Sequence, residues 1–307
     1  MSLMVVDSGF WTTVQDTGRV GYREWGVPAG GAFDRSAADL ANALVGNGSE
    51  CAVLELTLRG GIFEALGSVG IALAGAPIEA SVVATDGRPR RVRMPSSCSL
   101  HAGERLVMGR TLGGARTYLA VRGGFQTPLR LGSRSSEQPL RRGDLLHASA
   151  ATLPTRHPSE PTWSDPAAQP FRIIEGPQDG AMIALDFWTQ GRFRVGSRSN
   201  RMGLRLEGPS LEFMSQPDRL SAPVAPGAIQ VAGGQLIILG VACGTMGGYP
   251  HVAHVISADL DRVGQLSPGD RIQFRPVALD SARKLDVAAR LAHRALLVRV
   301  ASLARDI

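Results

Sequence analysis

Apolar residues along this chain come in short runs, most of them alternating with polar ones, and nearly every run is stopped by Gly or Pro. The alternation predicts strands that bury one face, first over residues 4–14 and then over 53–58, 71–74, 91–94, 105–108 and 118–121, at the spacing of a barrel or sandwich. Two stretches have helical periodicity instead. Residues 34–45 carry Ala37, Leu40, Ala41, Leu44 and Val45 on one face, with Asp34 placed to cap the start and Gly46-Asn47 to supply a left-handed exit. Residues 280–302 contain no Gly or Pro and place Leu285, Ala288, Ala292 and Leu296 on one face, which predicts a surface helix. Asn42, beside the apolar face of the first helix, either hydrogen-bonds a neighbouring loop or faces water.

The most informative stretch is 226–274. Residues 235–240 form an apolar run between Gly233-Gly234 and the loop Cys243-Gly244-Thr245-Met246-Gly247-Gly248, and a second run follows at 252–256. These read as two strands joined by a turn too rich in glycine for helix. Gly247 and Gly248 let the main chain approach a ligand closely, and Tyr249, His251 and His254 stand beside the opening with hydrogen-bonding heads. A tight hairpin corner with a tyrosine packed over it accounts for the same pattern.

Composition narrows the choices. With 307 residues and 44% hydrophobic content the chain is long enough for two cores of roughly 150 residues each. Residues 154–170, rich in Pro and Ser and without periodicity, are the expected linker, giving domains over 1–160 and 161–307. An internal echo accompanies this division: Leu131-Gly-Ser-Arg-Ser-Ser136 resembles Val195-Gly-Ser-Arg-Ser-Asn200, and the Gly-Asp pair at 143–144 resembles that at 269–270. No apolar run is long enough to span a bilayer, and the start lacks a signal-peptide layout, so a cytoplasmic protein with no membrane partner is expected. Cys51, Cys98 and Cys243 are too few and too far apart for a disulfide framework. Net charge is +6, yet Lys284 is the only lysine. That excludes a Walker A phosphate loop, a Schiff-base lysine and a biotin-carrier turn within this chain. The arginines are scattered among acids with few aromatics, so nucleic acid is not an expected partner.

Several blocks carry a family resemblance: Thr13-Val-Gln-Asp16, Gly18-Arg19, Gly31-Ala-Phe-Asp34, Tyr118-Leu-Ala-Val-Arg-Gly-Gly124, Leu131-Gly-Ser-Arg-Ser135, Glu175-Gly-Pro177, Arg201-Met-Gly203, Pro226-Gly-Ala-Ile-Gln230 and Gly247-Gly-Tyr-Pro250. In these the sequence resembles the carboxyltransferase family that includes the C subunit of 5-oxoprolinase, the second subunit of allophanate hydrolase, the carboxyltransferase part of urea amidolyase, and the regulator KipA. The resemblance implies an all-β fold of two cyclophilin-like β-barrel domains with few short helices and a C-terminal helix. It also implies one component of an enzyme for a small amide or lactam, of the 5-oxoproline or urea/allophanate class, partnered by the B subunit of 5-oxoprolinase or a KipI-like protein. ATP or carboxybiotin would be supplied through partner chains and bound covalently by none of this chain's residues. The alternative it implies is a non-catalytic KipA-like regulator that binds a KipI-like kinase inhibitor. Where the family usually shows Asp, a variable residue and Gln-Thr before the two glycines, this sequence has Ala242, Cys243, Gly244 and Thr245. A glycine-rich segment usual after Ser136 is shortened to Glu137-Gln138-Pro139.

The candidate site combines three segments. Arg201 and Arg205 alternate with apolar residues, so on one strand both guanidinium groups share the face that also carries Glu207. They suit a substrate carboxylate, or else an internal ion pair with Glu207. Gln15, Asp16 and Arg19 of the first loop have the same two readings. Gln230, Thr245, Gly247, Gly248, Tyr249 and His251 complete the binding set, with His254 as the candidate proton-transfer group. Cys243, His251 and His254 have zinc-type donors, but residues three apart on an extended strand point to opposite sides, so they are not expected to converge and no metal is predicted.

Overall fold

The computed structural model describes residues 1–176, 183–211 and 220–302; Pro177 of the Glu-Gly-Pro block lies outside them. The chain is mostly antiparallel strand and divides into two compact units that are not contiguous halves. The first comprises Met1–Arg19, Gly30–Asp165 and the chain from His293, and the second Val20–Ala29 and Pro166–Ala292. The C-terminal helix, Leu279–Ser302, therefore contributes to both. Its buried positions are Ala282 and Val300; of the expected stripe Leu285 and Leu296 are half-buried, as is Leu297, whereas Ala288 and Ala292 are exposed. No helix among the described residues is long and apolar enough to cross a membrane.

In the first unit one sheet runs, in spatial order, Leu145–His147, Ser2–Asp7, Ile62–Ala65, Arg105–Thr111, Ile78–Val83 and Pro89–Arg91. The other runs Trp11–Gln15, Val53–Thr57, Arg116–Val121, Val69–Gly75 and Ser96–Leu100. The two share a core of Leu3, Val5, Leu54, Leu56, Phe63, Ile71, Leu106 and Leu119. The second sheet is buried on both faces. Along one strand Leu119 and Val121 enter the shared core while Tyr118 and Ala120 meet the helix Arg35–Leu44, as a period of two demands. Small residues let this helix sit close: Ala37 and Ala41 share a cluster with Ala72, Ala74 and Ala120. Asp34 accepts the Ala37 N–H at 2.9 Å, and Asn42 hydrogen-bonds the Cys51 carbonyl at 2.8 Å, so its side chain ties a loop.

The expected single opening strand is two strands, Ser2–Asp7 and Trp11–Gln15. Gly9 breaks the run at φ +77°, where a Cβ would lie 2.5 Å from the Arg59 carbonyl oxygen, and its N–H is held by the Asp7 carboxylate. The strands Ile62–Ala65, Ile78–Val83 and Ser96–Leu100 were not predicted, and the run expected at 91–94 is paired only over Pro89–Arg91.

In the second unit an eight-stranded sheet has the order Arg271–Ile272, Phe193–Val195, Gly203–Glu207, Gln235–Leu239, Ala228–Ala232, His251–Val255, Phe171–Glu175 and Phe274–Pro276. Its first and last strands are separated in sequence only by Gln273, so the sheet curls into a nearly closed barrel. Closure brings the one parallel pairing among the described residues, Phe171–Glu175 with Phe274–Pro276. The interior holds Leu204, Ile238, Ile229 and Ala253, all buried and in register across four strands. An aromatic cluster of Phe171, Trp188, Phe193 and Phe274 is also fully buried.

The Gly-Asp part of the internal echo has the same local structure in both units. Gly143 donates to Val5 O at 2.8 Å and Gly269 to Val195 O at 2.8 Å, both with strongly positive φ. Asp144 then accepts the Arg141 N–H, and Asp270 that of Ser267, each at 2.8 Å. The same turn thus pins an early strand in each unit.

Candidate functional site

The polar groups of the second unit lie on the outer face of its barrel. Pairing places Arg205 opposite Ile237, Ile237 opposite Gln230, and Gln230 opposite His251. Directly paired residues project from the same face, so these four form one row. The next row inward in sequence is the apolar set filling the barrel.

His254 would fall on the barrel side of this strand if the alternation ran unbroken. The ladder slips instead: Ile229 faces Ala253 while Gln230 faces His251, which leaves Val252 as an extra residue. Val252 and Ala253 are both buried, and the flanking histidines are both half-buried. A bulge of this kind restores residues three apart to one face, and the imidazole rings stand 5.8 Å apart, tilted by 59°. The expected divergence of His251 and His254 is thereby corrected. Burial foremost, then the neighbouring His251 charge, holds His254 below the usual histidine range, against an opposing hydrogen bond to the Pro226 carbonyl.

Glycines shape the space beside these rings. Gly227, at φ +93°, has room for no side chain: a Cβ would lie 2.7 Å from Leu260 and 3.1 Å from His254 Nε2. Substituting Gly227→Ala is expected to cost about 1–3 kcal/mol and to displace the imidazole. Thermal melting and the His254 titration by NMR check this, and an unmoved titration would show that the glycine does not set the ring. Gly247 likewise leaves room for the Gln230 amide, which a Cβ would approach to 2.6 Å. Gln230 is buried, and its Nε2 donates to the Tyr249 carbonyl at 3.3 Å. The Tyr249 side chain is exposed, as is Gly248, and the Thr245 carbonyl accepts from Val224.

The arginines are placed less compactly than predicted. Arg201 lies before the strand, in a turn, and is buried; its carbonyl accepts the Ala242 N–H at 3.1 Å. Arg205 is exposed and stands three strands from His251, about 14 Å at the usual strand spacing, so one small substrate does not bridge them. Glu207 pairs with Arg194 on the adjoining strand. Arg23, which local sequence reading passed over, packs into the second unit. Its Nη2 donates to the Val224 carbonyl, and its Nη1 is buried without a hydrogen-bond partner among the described residues. Burial pushes the Cys243 thiol up while the charge of Arg23 draws it down, with a net upward shift. A buried thiol so shifted is a poor nucleophile at neutral pH.

The first-loop residues belong to the first unit. Gln15 is fully buried, with Nε2 bonded to the Ser136 carbonyl and Thr13 Oγ1. The Asp16 carboxylate accepts from Ser133 Oγ, Ser135 Oγ and the amides of Gly18 and Arg134. Arg19 Nη2 donates to the Ser135 carbonyl. These residues organise a loop, and Arg19 also lines a cavity.

The fold defines a mostly β protein whose second unit is a nearly closed barrel. The chain belongs to the carboxyltransferase domain, subdomain A and B, family, whose model matches residues 25–276. It is 33% identical to the C subunit of 5-oxoprolinase from Escherichia coli over 92% of this chain and 93% of that protein. It is 30% identical to the urea amidolyase of Lachancea kluyveri, where 92% of this chain matches but only 17% of the larger protein is spanned. The crystal structure of the K. lactis urea amidolyase superposes with a TM-score of 0.82 at 27% identity, over 96% of this chain and 20% of that one.

Proposed function

We propose that this chain is one component of an enzyme acting on a small amide or lactam, of the 5-oxoproline or urea/allophanate class, together with a partner like the B subunit of 5-oxoprolinase or KipI. The observation that carries the reading is the pair of imidazoles held on one face beside the Gly247 opening, with the Gln230 amide and Tyr249 adjacent. The near full-length match to the C subunit of a 5-oxoprolinase supports the lactam class. His254, kept neutral by burial, is the proton-transfer group, and Gln230 and Tyr249 offer hydrogen bonds to the substrate.

The one lysine of this chain does not fit a covalently attached biotin. Lys284 is exposed in the second turn of the C-terminal helix, not at the tip of a hairpin, so ATP or carboxybiotin comes through the partner. Either would supply an activated phosphoryl or carboxyl group.

Copurification with the partner encoded alongside, followed by an assay of ATP-dependent 5-oxoproline opening, tests the reading. His254→Asn is expected to lower turnover about 100-fold with little change in KM. Because the histidine is depressed, its neutral form already predominates at pH 7. Turnover should rise with pH only below the ordinary value near 6.5 and stay flat above it. A regulatory protein is the second reading, favoured by Ala242, a buried alanine at the position where the family resemblance leads one to expect a carboxylate. Tight partner binding with no turnover would select it.

A further inference from the structure

The first unit contains a cavity of about 490 Å³ whose lining includes Arg19, Arg130 and Arg134. That volume is in the range of small-molecule sites. Arg19 donates to the Ser135 carbonyl, and Arg134 to the Thr127 carbonyl and the Gln126 side-chain oxygen. Each acceptor is a neutral oxygen, so these bonds fix the two guanidinium groups in place without cancelling their charge. Arg130 is exposed, with its fork available to a ligand. Two acids also line the space. Asp144 is turned towards the Arg141 N–H of its own turn, and Glu137 is exposed, so three cations face two carboxylates.

A second observation points to a ligand. Thr127 lines the same cavity, and its Oγ1 is buried without a hydrogen-bond partner among the described residues. A buried hydroxyl left unpaired is costly, and an oxyanion would accept its proton while meeting the arginines. We propose that this cavity binds a small oxyanion, a free carboxylate or phosphate compound, gripped by Arg130 and Thr127 Oγ1 in the field of Arg19 and Arg134. The site is independent of the imidazole pair, all of whose residues belong to the second unit.

Calorimetric titration of the full chain at constant ionic strength, with inorganic phosphate in one arm and glutarate in the other, tests the proposal. Saturable uptake of either anion at one site is expected, and the arm that saturates first distinguishes phosphate from carboxylate ligands. Arg130→Gln should weaken binding about tenfold and the near-isosteric Thr127→Val about threefold. Arg88→Gln, in a distant exposed turn, should leave it unchanged, and thermal melts verify that each variant is folded. The proposal is overturned if neither anion saturates the wild-type chain by about 20 mM, or if Arg130→Gln binds both as tightly as wild type.

Discussion

Replacing Glu55 by alanine is expected to destabilise the first unit by about 3–5 kcal/mol, read as a fall in the urea midpoint at pH 7. Glu55 is 1% exposed and accepts hydrogen bonds from the Phe33 amide at 2.9 Å, Tyr118 Oη at 2.8 Å and Arg116 Nε at 3.2 Å. Removing the carboxylate takes a buried counter-charge from the Arg116 guanidinium, itself 5% exposed. The damage extends to the helix Arg35–Leu44. Tyr118 Oη accepts the Asp34 N–H, and Asp34 caps that helix through Ala37. Burial, and then the nearby Glu55 and Asp34 charges, push the Tyr118 phenol well above its usual range, so it remains a donor. Glu55→Gln keeps the shape but not the charge and should fall between wild type and alanine. A loss below about 1 kcal/mol for alanine would mean that the pair barely repays its own desolvation.

Asp16→Asn is expected to cost about 2–4 kcal/mol at neutral pH, because a carboxamide N–H would confront donors where a carboxylate oxygen accepts. The cost should also depend on pH. Burial acts to raise the Asp16 pKa, but the hydrogen bonds from Ser133, Ser135, Arg134 and Gly18 outweigh it and hold the group below the ordinary range. For a depressed carboxylate the stabilisation is complete above the unfolded value, about 3.9, and is lost as pH falls through the folded one. The stability gap between wild type and Asp16→Asn should therefore be full at pH 7 and narrow progressively below about pH 4. Urea midpoints across that window measure it; a gap of constant size would show that charge at Asp16 contributes nothing.

What the sequence determined by itself was whatever depends on neighbours a few residues away. The cap at Asp34, the stripe from Ala37 to Val45 and the left-handed Gly46 suffice to place the helix Arg35–Leu44. Strand alternation interrupted by glycine and proline establishes the all-β class, and the ordered motif blocks establish the family. A single lysine, flanked by Arg283 and Leu285, argues against a biotin-carrier turn or a Schiff-base lysine without reference to any fold. The break at Gly9 was less legible, because the glycine is required there by the Arg59 carbonyl, fifty residues away in sequence.

Tertiary structure decided which groups meet. Alternation along His251–Val255 sends the two histidines apart, and only the slipped register against Ala228–Ala232 returns them to one face. The one local sign was the pair of apolar residues between them, Val252 and Ala253. Arg23 reaches Val224 across 201 positions, and the C-terminal helix buries Ala282 and Val300, which lie outside the stripe its periodicity suggested, while only Leu285 and Leu296 of that stripe are half-buried. Register, bulges and long-range packing are set by the partner strand or surface, whose free energy is shared between distant segments. A local window therefore carries the rule for making an element but not the identity of what that element will touch.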